Sequence, residues 1–255
     1  VVKIKNNMRV CILGTGLSSL TLAKALVNQK IFVDLYSQKK IKLANNSRTI
    51  GISRSNIEFF NNSIVNIDKI SWKLKKIEIY SDNLKKEKLI NFENNSDELF
   101  SIIRNRSLFE TLEKSLLKNK YFTRINNLKN SNILDNYSLI INTDFTSPIT
   151  RKYFSQKILK EYNSVAYTTI IHHKKIVNDI AVQFFTKAGP LAFLPISDEE
   201  TSIVYSYHNK KNADINNLIK KYNHKYKIFK INKINSFELK SFLLRTYYHN
   251  NILAF

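Results

Sequence analysis

The 255-residue sequence has a single cysteine, Cys11, and so cannot hold an intrachain disulfide. Without a disulfide framework a reducing compartment is expected, and Cys11, set inside an apolar run, reads as a small buried apolar residue. No apolar run approaches the roughly 20 residues needed to cross a bilayer, and no secretory signal pattern opens the chain, so a cytoplasmic protein is expected. Motifs for a reaction driven by side chains are also missing. There is no G-x-S-x-G nucleophile elbow, no Walker lysine and no Cys-x-x-Cys pair. His172 and His173 are adjacent and so point to opposite faces of a strand, and His208, His224 and His249 show no ligand spacing, so no metal site is expected. Any reaction is then expected to be carried by a bound cofactor.

Acidic residues are scarce. Twenty Asp and Glu face 41 Lys and Arg, a formal net charge of +21, where small soluble domains commonly carry a magnitude of about 2 to 8. The lysines are spread among asparagines and isoleucines along the whole length, whereas nucleic-acid recognition favours clustering on one element with aromatics interleaved. Two explanations stay open: attraction to an anionic membrane surface, at about 1 kcal/mol per basic residue near it, and a compositional bias toward Lys, Asn and Ile on solvated surface. With 43% hydrophobic residues the chain can bury a real core, as one large domain or two interleaved ones. Internal repeats are absent.

What is present begins at Arg9. The apolar run Val10 to Leu13 reads as a buried strand that breaks into Gly14-Thr15-Gly16 and continues through Ser18 and Ser19 into a helix with Leu20, Ala23, Leu26 and Val27 on one face. Ile31 to Tyr36 is a second β-branched and aromatic run, completing strand, helix, strand. This context suits a dinucleotide pyrophosphate. Gly14 permits the tight turn, Gly16 has no Cβ to block a diphosphate, and the helix N-terminus offers free N–H groups and roughly half a unit of positive charge. Ser19 replaces the third glycine of G-x-G-x-x-G. Ser37 stands where an acid would bond a ribose hydroxyl, with Asp34 three residues earlier.

Arg48, in Ser47 to Ser53, is either a surface arginine or a pyrophosphate or ribityl contact. A short helix through Ile57 and Phe60 follows. Ile77 to Tyr80 and Leu89 to Phe92 alternate around Asp82-Asn83 as an antiparallel hairpin, which is foreign to a purely parallel sheet and is expected in an inserted second layer. Ser107 and Glu110 read as a capping box for a helix whose Leu108, Leu112 and Leu116 form a core stripe. Leu139 to Ile141 is a short buried strand. Asp144, at its C-terminal end, lies where open α/β sheets bind ligands, and serves equally as a turn or capping aspartate. From Val165 the sequence turns β-rich: Tyr167 to His172, Ile180 to Phe185, Leu191 to Leu194 and Ser202 to Tyr207 read as strands, and Lys210 to Lys233 as a solvated helix with a connection. The fold class expected is α/β, a Rossmann-like domain interleaved with an α+β, mostly antiparallel domain.

These segments, in this order, resemble the flavoprotein aromatic hydroxylases, especially the branch that hydroxylates polyprenyl phenols in ubiquinone biosynthesis. Gly14-Thr15-Gly16 resembles the FAD-pyrophosphate loop, and Arg48 to Ser53 is similar to the R-x-x-A-L-S segment. Arg106 with Leu108 and Leu112 resembles the helix start that approaches the flavin, and Asn142 to Ser147 is similar to G-A-D-G-x-x-S, keeping Asp144 and losing both glycines. Phe185 to Ile196 resembles the branch's F-x-x-x-G-P-x-A-L-L-P-L signature, and His173 matches a histidine upstream of it.

The resemblance implies an FAD-binding domain over 8–70 and 96–158, a substrate domain over 71–95 and 159–248, and a strand at 249–255 returning to the first. It implies cofactor contacts at Gly14, Gly16, Ser18, Ser19, Ser37, Arg48, Arg106 and Asp144. It also implies NAD(P)H as reductant of FAD, O2 forming a flavin C4a-hydroperoxide, and an aromatic substrate with a polyprenyl tail. Such a substrate suits a protein peripheral to the inner face of the membrane or held in a biosynthetic complex, with no specific nucleic acid. The family follows a strand like Ile252 to Phe255 with a Gly-Asp motif. The sequence stops there and has its only methionine at Met8, so an incomplete or degenerate form is expected. An NAD(P)-dependent oxidoreductase without flavin and a noncatalytic basic binding protein are the rival readings.

Overall fold

The first strand is apolar at every position after Arg9 because it is covered on both faces, as the central strands of a parallel sheet are. The computed structural model describes residues 8–37, 47–82, 88–93, 98–126, 137–208 and 213–254. In chain order its elements are β1 (Arg9–Leu13), α1 (Leu17–Asn28), β2 (Phe32–Ser37), β3 (Thr49–Ser53), α2 (Arg54–Phe59), β4 (Ser71–Leu74), β5 (Lys76–Ser81), β6 (Lys88–Glu93), β7 (Phe100–Arg104), α3 (Asn105–Leu117), β8 (Phe122–Asn126), β9 (Leu139–Asn142) and α4 (Pro148–Tyr153). They continue with β10 (Lys157–His173), β11 (Ile180–Thr186), β12 (Gly189–Pro195), β13 (Glu200–Tyr207), α5 (Ile215–Tyr222), β14 (Ile228–Ile231), β15 (Asn235–Leu244), β16 (Tyr248–His249) and β17 (Ile252–Ala254). A π-helical turn, Phe60–Ile64, extends α2.

Three sheets result. Six strands run β16-β17-β9-β1-β2-β8, all parallel except the edge strand β16. From β1 the chain moves outward through β2 to β8, then returns to β9 on the other side of β1. That reversal puts a topological switch point between the C-terminal ends of β1 and β9, where doubly wound sheets hold ligands. Strand alternation divides the core: Val10, Ile12, Val33 and Leu35 pack against α1 and α3, while Cys11, Leu13 and Ile140 pack with Phe154 and Ile252 on the other face.

The second sheet runs β14-β10-β13-β12-β11-β5-β6, with β15 also paired to β10, and is antiparallel except where β11 meets β5. A three-stranded sheet, β3-β7-β4, holds β4 from the 71–95 segment together with strands from the flanking segments. The hairpin of β5 and β6 forms, although Asn83 of its expected turn lies outside the described residues. This is the α/β architecture of a Rossmann-like sheet interleaved with a mostly antiparallel one.

Three local expectations change. Helix α3 starts at Asn105 with Arg104 as its N-cap residue, so Ser107 lies inside the first turn and forms no capping box; its carbonyl accepts from the Thr111 hydroxyl, and Glu110 pairs with Arg106 instead. Strand β10 begins at Lys157, ahead of Val165, as an exposed ribbon paired with β15. Helix α5 is not wholly solvated: Ile215, Ile219 and Tyr222 are buried against the second sheet. Positions 210–212 of that stretch lie outside the described residues. Among the described residues no helix is long and apolar enough to cross a membrane.

Candidate dinucleotide-binding site

Leu13 ends β1 at the switch point, and the chain turns at once through Gly14, whose φ of 131° is open to glycine and strained for other residues. Its N–H donates to the Tyr36 carbonyl at 3.2 Å. A Cβ there would lie 2.2 Å from Thr143 Oγ1 and 2.9 Å from Ser19 Oγ, so backbone conformation and space both demand glycine. Gly16 differs. It is the extended N-cap residue of α1, and a Cβ on it would meet nothing within 4 Å. Its missing side chain relieves no crowding within the chain; it leaves room outside, on the path to the helix N-terminus.

That N-terminus is open. No side chain caps α1 and no acidic residue lies in its first turn, so its leading N–H groups and the positive end of its dipole are available to an anion. Ser18 is exposed there. Ser19 is fully buried, and its hydroxyl shares a 2.6 Å hydrogen bond with that of Thr143. Thr143 Oγ1 in turn bonds the Leu13 carbonyl at 3.0 Å. Where a third glycine would let helix and strand approach, Ser19 clasps the loop after β9 and faces the protein interior.

The loop after β9 is built by Asn142, whose Oδ1 accepts from the Ser147 hydroxyl and the Asp144 N–H while its amide donates to Thr150 Oγ1. Asp144 is half-buried beside the glycine turn, and its Oδ1 accepts from both the N–H and the hydroxyl of Thr146. Its turn-forming role is thus present in the fold. Ser37 ends β2, and its side chain lies outside the described residues.

Arg48 and Arg106 form a second group. The Asn105 N–H donates to the Arg48 carbonyl at 3.0 Å, tying the segment before β3 to the start of α3. The Arg48 guanidinium is exposed and lies 4.8 Å from the centroid of the Phe237 ring on β15. Arg106 is exposed in the first turn of α3 and pairs with Glu110 at 2.7 Å. Asn105 Oδ1, next to both arginines in sequence, is buried without a hydrogen-bond partner.

Asp34 is excluded as a substitute for the missing acid. It is 2% exposed, and its Oδ2 accepts from Arg9 at 2.9 Å and from the Tyr137 hydroxyl at 2.7 Å, with the Tyr36 hydroxyl 3.1 Å from that of Tyr137. Burial, and then these hydrogen bonds, push the Tyr137 phenol far above its ordinary value. Burial, reinforced by the Asp34 carboxylate, pushes the Cys11 thiol up to about 12, which keeps it an inert apolar residue.

His173 is 1% exposed, with one ring nitrogen 3.0 Å from the Lys174 carbonyl and the other 3.0 Å from Thr201 Oγ1. It is locked into the sheet. His172, on the opposite face, is paired with Glu200 and Asn232. Among the described residues no group of three or more His, Cys, Asp or Glu could hold a metal. Sequence reasoning missed Thr143 and Asn142 as builders of the site, although both lie within the segment that singled out Asp144.

The arrangement fits the diphosphate of a dinucleotide such as FAD: a glycine turn without room for a Cβ, a second glycine facing open space, and an uncapped helix at a switch point. Solved structures share the whole fold. The probable FAD-dependent monooxygenase PqsL of Pseudomonas aeruginosa is 13% identical, with a TM-score of 0.75 over 97% of this chain and 78% of that one. The p-nitrophenol 4-monooxygenase PnpA of Pseudomonas putida is 9% identical, with a TM-score of 0.74 over 97% and 72% of the two chains. A 2-methyl-3-hydroxypyridine-5-carboxylic acid oxygenase is 12% identical, with a TM-score of 0.74 over 98% and 75%. No protein-family model and no curated protein sequence matches the chain. At such identities the likeness establishes the fold, which is that of these FAD-dependent monooxygenases.

Proposed function

We propose that the chain is a flavin-dependent aromatic monooxygenase that holds FAD at the glycine turn, takes electrons from NAD(P)H and uses O2. The observation that carries this reading is the uncapped N-terminus of α1 meeting open space at Gly16, within a fold shared with FAD-dependent monooxygenases. Bound FAD would supply the redox chemistry and oxygen activation that no side chain provides. Gly14 and Gly16 admit the diphosphate, and the α1 N–H groups, with Ser18 at the helix start, hold its charge. Oδ1 of Asp144 is engaged by Thr146, which leaves Oδ2 for a ribityl hydroxyl. Arg48 and Arg106 supply guanidinium groups to the same cofactor.

For substrate we propose a phenol with a polyprenyl tail, as in ubiquinone biosynthesis, met at an anionic membrane surface. The support is the resemblance of Phe185 to Ile196 to that branch's signature, together with the ribbon where β10 overhangs the sheet. There Ile158 and its cross-strand partner Leu243 are 52% and 57% exposed, near Lys157 and Lys160, with Lys240 paired to Glu238 farther along the ribbon. Exposed apolar residues rimmed by cations suit an anionic lipid interface.

Protein reconstituted with FAD should oxidise NADH or NADPH faster when a prenylated phenol is added and should release a hydroxylated ring. Protein that binds NAD(P)H and rejects FAD would instead favour the flavin-free oxidoreductase.

A further inference from the structure

Side chains alternate along β11, and its two faces serve different neighbours. Ala181 packs with Leu74 of β4 and Ile102 of β7, toward the three-stranded sheet. Phe184 packs on the opposite face with Ile219 and Tyr222 of α5. On that second face, beyond the end of α5, a cleft of about 250 Å³ remains. Its apolar walls are Tyr80, Val182, Phe184, Phe193, Tyr222 and Tyr226. The wall rings pack on one another, Tyr80 stacked on Phe184 with centroids 5.3 Å apart and Phe193 near-parallel to Tyr226 at 6.0 Å, so they line the cleft as a continuous aromatic surface. By strand alternation the cleft opens away from the three-stranded sheet, and none of its lining residues belongs to the glycine turn or to the loop after β9.

Two charged groups line the cleft, and they differ in what they can still bind. Glu78 is satisfied: the Tyr80 hydroxyl donates to it at 2.8 Å, Lys88 at 2.6 Å, and Lys76 stands 3.4 Å away. Although burial alone would raise its pKa, those donors hold the carboxyl below its usual range. A cationic guest would have to displace lysines already in place. Lys225 has no carboxylate within ion-pair distance among the described residues, although Asp179 and Glu78 act on it from farther off, and its ammonium lies 5.7 Å from the Tyr226 ring centroid. Burial lowers its pKa against the opposing pull of the Asp179 and Glu78 carboxylates, and an anion beside it would favour the charged form further.

We propose that this cleft binds a single-ring aromatic carboxylate, the ring between the aromatic walls and the carboxylate on the Lys225 ammonium. The volume falls below the roughly 300–1,000 Å³ of pockets for drug-sized molecules, which restricts the guest to one ring. The site is independent of the glycine turn and does not rest on the flavin reading.

Calorimetric or NMR titration of the full chain with benzoate tests this, with benzamide as the neutral control of the same shape. Benzoate should bind saturably and about tenfold more tightly than benzamide. Lys225→Gln, at an exposed position, should bring benzoate down to the benzamide level, and Val182→Phe, which fills the cleft, should abolish binding of both. Absence of saturable benzoate binding, an unchanged affinity in Lys225→Gln, or competition by FAD for the same site would each overturn the proposal.

Discussion

Replacing Gly14 with alanine tests the geometry on which the candidate site depends. The new Cβ would be placed at φ 131° and 2.2 Å from Thr143 Oγ1. The backbone strain alone is worth about 1–3 kcal/mol. Thr143 must also move, and its hydroxyl bonds to Ser19 and to the Leu13 carbonyl are lost, at about 1 kcal/mol each. The sum, about 3–5 kcal/mol, is a large part of a typical stability of roughly 5–15 kcal/mol and should lower the thermal midpoint by roughly 6–20 °C in a chain of this size. Urea and thermal unfolding measure the effect, and a cycle with Thr143→Ala separates its parts. Removing the threonine hydroxyl relieves the clash and leaves the strained φ, so the double variant should be more stable than the two single losses predict, by about 1 kcal/mol or more. A Gly14→Ala protein within about 0.5 kcal/mol of the parent would refute the reasoning, as would strict additivity with Thr143→Ala.

Other outcomes follow from the same contacts. Because the folded Cys11 thiol titrates near 12 against 9.0 ordinarily, the unfolded chain releases that proton first; its contribution is whole below about pH 9 and is lost by up to about 1.4 kcal/mol per pH unit above it. Denaturant unfolding at about pH 8 and pH 10 should therefore show a smaller alkaline loss for Cys11→Ala than for the parent. Asp34→Ala removes the charged acceptor of the buried Tyr137 hydroxyl, leaving it only the Tyr36 hydroxyl, and should cost about 1–3 kcal/mol while leaving FAD affinity unchanged in a fluorescence titration of the folded variant. Ile158→Asp and Leu243→Asp, at exposed positions, should change stability by less than about 0.5 kcal/mol and sharply reduce co-sedimentation with anionic vesicles. Equal binding of the parent to neutral vesicles would count against the membrane reading.

Local signals were the ones the sequence carried well. Val10 to Leu13, the two glycines and the Leu20, Ala23, Val27 face depend on neighbours within one turn or strand, and each lies where periodicity puts it. The stripe of Leu108, Leu112 and Leu116 is buried as its spacing requires. The capping box failed for the same reason that caps are hard to place: Ser107 and Glu110 have suitable spacing, but β7 delivers the chain into the helix three residues earlier, with Arg104 at the N-cap. Long-range partners left no trace. Ser19 meets Thr143 across 124 positions and Asp34 meets Tyr137 across 103, so neither the clasp on the glycine turn nor the burial of Asp34 could be read from spacing. The overhanging start of β10 was missed because its Ile158 and Leu159 sit among charged residues and face solvent rather than a core.

Titration of the purified chain with FAD, followed by flavin fluorescence with ADP and riboflavin as competitors, tests the central claim most directly. A turn that grips the diphosphate through Gly14, Gly16 and the α1 N-terminus predicts saturable binding of FAD that ADP displaces and riboflavin does not. Binding displaced by riboflavin and indifferent to ADP, or no FAD binding by protein that remains folded, would contradict it.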